Sequence, residues 1–209
     1  MKVHLYILLA FMLLCSCNRN DNLQMRIAGT ISTRFNGQKM YLLPLPHPTP
    51  QNVDSTYIKN GQFTFIVPAD SSMYDITISN KANAMTQRLL VIAEKGELRV
   101  HIDSISTSCG TKLNDRLQQW KEEMERGRRE QVFISNKMMA HENDKQISAL
   151  LQNRQDSLVK GFQETTFLFV KQNINPLGGF IFFSMNELFN ENQISRLKSL
   201  GIEKWKPKG

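Results

Sequence analysis

Between Leu23 and about Ser108 apolar and polar residues alternate in short runs separated by turn residues, which is the pattern of antiparallel β-structure. Met25, Ile27, Gly29 and Ile31 mark a first strand, and Met40 to Leu43 a second, with Asn36-Gly37 between them offering the two positive φ values of a tight hairpin turn. Asn60-Gly61 gives the same signal between Ser55-Thr56-Tyr57-Ile58 and Phe63 to Val67. Further runs at Tyr74 to Ser79, Arg88 to Ala93 and Leu98 to Ile102, the last two joined at Lys95-Gly96, bring the expectation to about seven strands. Pro44 to Pro50 holds four of the seven prolines and cannot join a central ladder, so it reads as a rim loop or an edge. Seven strands without an intervening helix imply a small antiparallel sandwich over residues 23–108.

After Thr111, placed as an N-cap, the period lengthens to about 3.6. Leu113, Leu117, Trp120 and Met124 share one helical face, and the pattern continues past Gly127 to Met138 and Met139. A second long helix runs from about Asn143 to Gln172 with an apolar stripe of Ile147, Leu151, Leu158, Phe162 and Phe169, so the two form an antiparallel hairpin. Asn175-Pro176 opens a third helix through Phe180, Phe182, Phe183 and Leu188, and Asn190-x-x-Gln193 is a capping box for a fourth, closed by Gly201. The predicted fold is α+β: an N-terminal antiparallel sandwich, then a helical region over residues 111–202 made of a hairpin and two shorter helices, with residues 203–209 a loose tail.

The N-terminus alters this picture by adding an address. Lys2, the apolar stretch Leu5 to Leu14 and the small Ser16 make residues 1–16 a secretory signal, because the apolar run is about half the ~20 residues a spanning helix needs. Leu14-Cys15-Ser16-Cys17 resembles a bacterial lipobox, in which the Cys17 thiol takes a diacylglyceryl group as a thioether and Ser16 is the small residue beside the cut. Cys15 does not fit that part, since Leu14 would be the residue before it. Acyl chains at ~0.8 kcal/mol per buried methylene make such an anchor durable. Residues 17–22 then act as a polar tether. The formal charge is +7, from 26 Lys and Arg against 19 Asp and Glu, and falls to +6 when Lys2 leaves. Export argues against a nucleic-acid partner despite this basic balance. The expected partners are the membrane, through the anchor, and another protein of the envelope. Asp21 is the one acid in the tether, so the stretch lacks an acid-rich surface-display signal, and the expected address is the outer membrane facing the periplasm.

Several fragments are familiar together: Asp54-Ser55 with Ile58-Lys59-Asn60-Gly61-Gln62-Phe63, Ala93-Glu94-Lys95-Gly96 before a strand, Cys109-Gly110-Thr111-Lys112-Leu113-Asn114-Asp115, and Asn175-Pro176-Leu177-Gly178-Gly179. Over roughly residues 23 to 200 the chain resembles the N-terminal domain of unknown function carried by Bacteroidetes-type lipoproteins, which precedes a thioredoxin-like domain in thiol:disulfide interchange proteins. The resemblance implies an envelope lipoprotein with a β-sandwich and a helical appendage. The thioredoxin-like domain and its Cys-x-x-Cys do not follow in these 209 residues, so the redox activity of the longer relatives is carried over to no residue.

Candidate chemistry is sparse. His4 belongs to the signal, and His47, His101 and His141 have no metal-ligand spacing, so neither a metal nor a cofactor is expected. His101 and Asp103 share a strand face, but no nucleophile motif accompanies them. With Cys15 removed and Cys17 acylated, Cys109 is the remaining thiol, and its place before a helix N-terminus makes it the candidate for reactivity. Arg126, Arg128 and Arg129 form the densest basic cluster and the candidate contact for an anionic partner. The functional expectation is a lipid-anchored, non-catalytic binding or scaffolding module. The alternatives are an accessory of a periplasmic thiol:disulfide system acting through Cys109, or a binder of small ligands or glycans at the sandwich rim.

Overall fold

The structure, a computed structural model, describes residues 23–78 and 86–206; the signal and tether, including Cys17, lie outside the described residues. Among the described residues eight strands form two four-stranded sheets: β1 (Gln24–Ile31), β2 (Lys39–Pro44), β3 (Asp54–Tyr57), β4 (Gln62–Pro68), β5 (Met73–Ile78), β6 (Leu89–Ile92), β7 (Gly96–Ile102) and β8 (Thr107–Cys109). One sheet has the order β4-β1-β7-β8, the other β3-β2-β5-β6. Helices α1 (Lys112–Ala140), α2 (Lys145–Gln172), α3 (Pro176–Ser184) and α4 (Glu191–Ser199) follow. The α+β class and the order of sandwich and helices agree with the sequence. β8, three residues long, is the strand the pattern missed, because so short a run carries no period.

The connections differ from simple hairpins. β1 and β2 belong to different sheets, so Asn36-Gly37 is a crossover between layers, and Asn36 has φ −53° where the hairpin expectation required a positive value. The Asn36 side chain has another use: its Oδ1 accepts from Gly61 N at 2.8 Å. Asn60 and Gly61 do take positive φ values of 52° and 68°, and Lys59 and Gln62 exchange backbone hydrogen bonds across them. The arms then part, β3 to one sheet and β4 to the other. Lys95-Gly96 likewise carries the chain from β6 to β7 across the layers. Because the chain returns to its first sheet from the same end, β1 pairs with β7 in parallel, from Met25 opposite Gly96 to Ile31 opposite Ile102. The remaining ladders are antiparallel.

Alternation places Met25, Ile27, Ile31, Phe63, Phe65, Val67, Leu98, Val100 and Ile102 inward from one sheet against Met40, Leu42, Ile76, Ile78, Leu89 and Val91 from the other. Gly29 sits among them because the Phe63 ring occupies the space a Cβ would need. β6 is the exception to alternation. Leu89 and Val91 enter the sandwich core while Ile92, with Met73, enters a second core made by Leu117, Val170, Leu177, Ile181, Phe182 and Leu197. A strand covered on both faces needs the unbroken apolar run Leu89-Leu90-Val91-Ile92.

The helix starts expected at Asn175-Pro176 and Asn190-x-x-Gln193 are capped as the sequence implied, and Asp144, not singled out in the sequence, caps a third. Asp144 accepts from Gln146 N and Ile147 N, Asn175 from Leu177 N and Gly178 N ahead of Pro176, and Asn190 with Gln193 completes the capping box. Thr111 stands at the N-cap position of α1, yet its side chain makes no capping bond. Glu94, from the β6–β7 turn, caps instead: its Oε1 accepts from Leu113 N at 2.6 Å and Asn114 N at 3.2 Å. The helical region ends in a 3₁₀ turn that takes in the first residues of the tail, of which 207–209 lie outside the described residues. Ile202–Trp205 forms a 3₁₀ turn, Ile202 is fully buried, and the Trp205 backbone packs so closely on Gly179 that a Cβ there would lie 2.3 Å from the Trp205 carbonyl oxygen.

Candidate functional site

α1 first acts as a third edge for the sandwich. Along β6, buried Asn114 accepts from Ile92 N at 2.9 Å and donates to Ile92 O at 2.8 Å, reproducing with one amide what a neighbouring strand would supply. Its Nδ2 also reaches Thr111 Oγ1 at 2.8 Å. Along β8, Gln118 Oε1 accepts from Ser108 N at 3.1 Å. One turn further, Lys121 Nζ donates to Ser106 O over a long 3.4 Å. The spacing 114, 118, 121 is one helical face laid against two open sheet edges.

Beyond Lys121 the helix continues for 19 residues, roughly 28 Å at helical rise, packed chiefly against α2. Where it leaves the sandwich, an open groove of about 790 Å³ forms. Gln87, Ile105 and Ser106 of the sandwich rim make one wall; Trp120, Lys121, Met124 and Gly127 of α1, with Leu158, Val159 and Phe162 of α2, make the floor, and Leu188 closes the far side. Gln163 fixes that side by donating to Leu188 O at 2.7 Å. Ile105 and Val159 are half exposed at 54% and 50%, so the groove presents apolar surface to solvent.

Its electrostatics centre on Lys121. Burial pushes the ammonium down to about 8, against the pull of Glu122 and Asp75. Asp75 is itself pushed up by burial, although Arg88 pairs with it at 2.7 Å and Lys121 lies near enough to oppose the shift. No carboxylate lies within ion-pairing distance of Lys121 among the described residues. On the same stretch the Trp120 indole N–H is buried without an acceptor while its ring packs at 6.0 Å from Phe169.

The residues singled out from sequence are not brought together. Arg126, Arg128 and Arg129 border the groove, but Arg128 forks onto Glu125 at 2.6 and 2.9 Å, and Arg129 reaches the same carboxylate at 3.7 Å. That fork holds the Glu125 carboxyl below its ordinary range. Cys109 is exposed on the outer face of the first sheet, opposite Arg99. The helix amides expected to face its thiol are occupied by Glu94. His101 shares a hydrogen bond with Thr30 at 2.9 Å and not with Asp103. Among the described residues no three His, Cys, Asp or Glu side chains are grouped to hold a metal, and no helix is long and apolar enough to cross a membrane.

Sequence reasoning missed Asn114, Glu94 and Lys121. A polar residue inside a helical stripe, as at 114 between Leu113 and Leu117, was the available signal for the first. Nothing local marked the others, whose roles depend on segments 15 to 20 residues away.

Residues 25–117 match the family model described as Domain of unknown function (DUF4369). The match agrees with the resemblance at the level of that domain, and it is shorter than the 23–200 span suggested by the motifs. It covers the sandwich and the first turns of α1 as far as Leu117, which includes Glu94 and Asn114; the DUF4369 segment therefore ends after the helix has closed the β6 edge. Lys121 and the rest of the groove floor lie past it. No curated protein and no solved structure matches the chain.

Proposed function

We propose that this chain is a lipid-anchored envelope protein that binds its target without transforming it, and that the groove at the base of the helical hairpin is the binding surface. The observation that carries the reading is the groove itself, a concave apolar surface with an amine at its inner end. Its position suits an anchored protein. Leu23 leads into β1 at the end of the sandwich where Met25 faces Gly96 and Gly110 packs on Glu97 O, while Ser106, Gln87 and the groove occupy the opposite end. A tether of six residues reaches about 20 Å from Cys17, so an acyl anchor there would keep the sandwich near the bilayer and aim the groove away from it.

The test is a photoreactive amino acid placed at Val159 in living cells, with the same group at Ile66, on the outer face of β4, as control. An adduct at 159 and none at 66 supports the reading; equal labelling, or none, overturns it. Mass spectrometry of the native N-terminal peptide tests the anchor separately, with a diacylglyceryl thioether on Cys17 expected. The exposure of Cys109 favours a second reading, the redox accessory, in which this thiol forms a mixed disulfide with an envelope partner. Recovery of such a disulfide under non-reducing conditions, lost in Cys109→Ser, would establish it.

A further inference from the structure

We infer that the groove takes a single-chain amphiphile with an anionic head, the head on Lys121 and the alkyl chain along the α1–α2 floor. This rests on the groove being the binding surface and adds the chemical class of the ligand. Lys121 supplies the head site. Its one hydrogen bond among the described residues is the 3.4 Å contact to Ser106 O, and the nearby carboxylates are engaged elsewhere or beyond ion-pair distance. A part-buried ammonium with no carboxylate within ion-pair distance gains from an anion that arrives with the ligand. Gln87, Gln118 and Glu122 line the same end, and the Glu122 carboxylate is engaged by Gln118 Nε2 at 2.9 Å.

The rest of the groove has the opposite character. Met124, Leu158, Val159, Phe162, Leu188 and Ile105 come from four separate segments and converge on one trough. Gly127 contributes no side chain, which keeps the floor open between Met124 and Gln131. From Lys121 to Gln131 the helix advances about 15 Å, about the length of an extended twelve-carbon chain. At the rim Arg128 and Arg129 share the one Glu125 carboxylate and Arg126 makes no ion pair among the described residues, but all three are exposed to solvent, whereas Lys121 at the inner end is part-buried. The volume is within the range of small-molecule sites.

The same head-and-chain chemistry is offered by a free fatty acid and by a monoacyl phospholipid. The probes are therefore laurate, dodecyl phosphate and the neutral dodecyl maltoside, titrated into the full-length chain carrying Cys17→Ser so that no detergent is needed. Trp120 fluorescence, isolated by Trp205→Phe, and calorimetry report binding. Both anionic probes are expected to bind at least tenfold more tightly than the maltoside, and the tighter of the two names the source. Lys121→Met is expected to remove that tenfold preference, bringing the anionic probes to the affinity of the maltoside in the same variant. Val159→Trp, at a half-exposed position that tolerates bulk, fills the trough and abolishes binding of all three. Equal affinity for charged and neutral heads, or an unchanged preference in Lys121→Met, overturns the inference. A protein adduct at position 159 with no response to any dodecyl probe overturns it while leaving the groove's binding role standing; absence of any adduct removes both.

Discussion

Replacing Asn114 would separate the two parts of the molecule more sharply than any other single change. Asn114→Leu keeps the side chain's volume and removes its amide, leaving Ile92 N–H and Ile92 C=O without partners at a position that is fully buried. A buried donor or acceptor left unsatisfied costs about 1–3 kcal/mol, so two such groups amount to roughly 2–5 kcal/mol after some relaxation of the β6 edge. The bond to Thr111 Oγ1 is lost as well, loosening the start of α1. For a chain of this size that corresponds to a fall in Tm of about 5–15 °C. Urea denaturation followed by far-ultraviolet circular dichroism measures the free energy, and thioflavin binding reports whether the uncovered β6 edge recruits other chains. Gln118→Leu, which uncovers a single amide at β8, should lose about 1 kcal/mol. A loss under 0.5 kcal/mol in Asn114→Leu would refute the claim that α1 acts as the missing edge strand.

Other outcomes follow from the same contacts. Glu94→Ala removes the cap of α1 and should cost about 1–2 kcal/mol in denaturant, whereas Thr111→Ala, which caps no amide and loses only the bond from Asn114 Nδ2, should leave the first α1 amides better protected from exchange than Glu94→Ala does. Lys121 holds a folded-state value near 8, below its unfolded value, so between about pH 8 and 10.5 the unfolded chain binds more protons and the wild-type protein gains stability relative to Lys121→Met as pH rises. Parallel slopes for the two proteins across that window would show that the amine is not desolvated. Exposed Cys109 should react with a maleimide in the native state as fast as in urea; strong native protection would contradict its place on the outer sheet face.

The sandwich was legible because most of its strands are amphipathic, and the inward residues of β1, β4 and β7 declare themselves by period. The sheet assignment was not, since Asn36-Gly37 and Asn60-Gly61 carry the same turn signal whether the arms stay paired or cross between layers. What decides is non-local: Asn36 reaches Gly61, a contact 25 residues apart. The hairpin's inner stripe was also legible, from Leu151, Leu158 and Phe162. The groove was hidden because four segments build it and none looks unusual alone. Lys121 reads as one more helix lysine until the Ser106 loop is folded over it, and of the arginine cluster that stood out in sequence Arg128 and Arg129 share the one Glu125 carboxylate.

The account turns on whether the groove is occupied in the protein's own setting. Hydroxyl-radical footprinting of side chains, in isolated envelopes and after purification, measures this directly. Ile105 and Val159 in the groove are the reporters, and Met139 near the hairpin tip, 66% exposed, is the internal standard. The account predicts that Ile105 and Val159 are shielded in the envelope and become reactive on purification while Met139 reacts equally in both. Equal reactivity of all three in the two settings would contradict it.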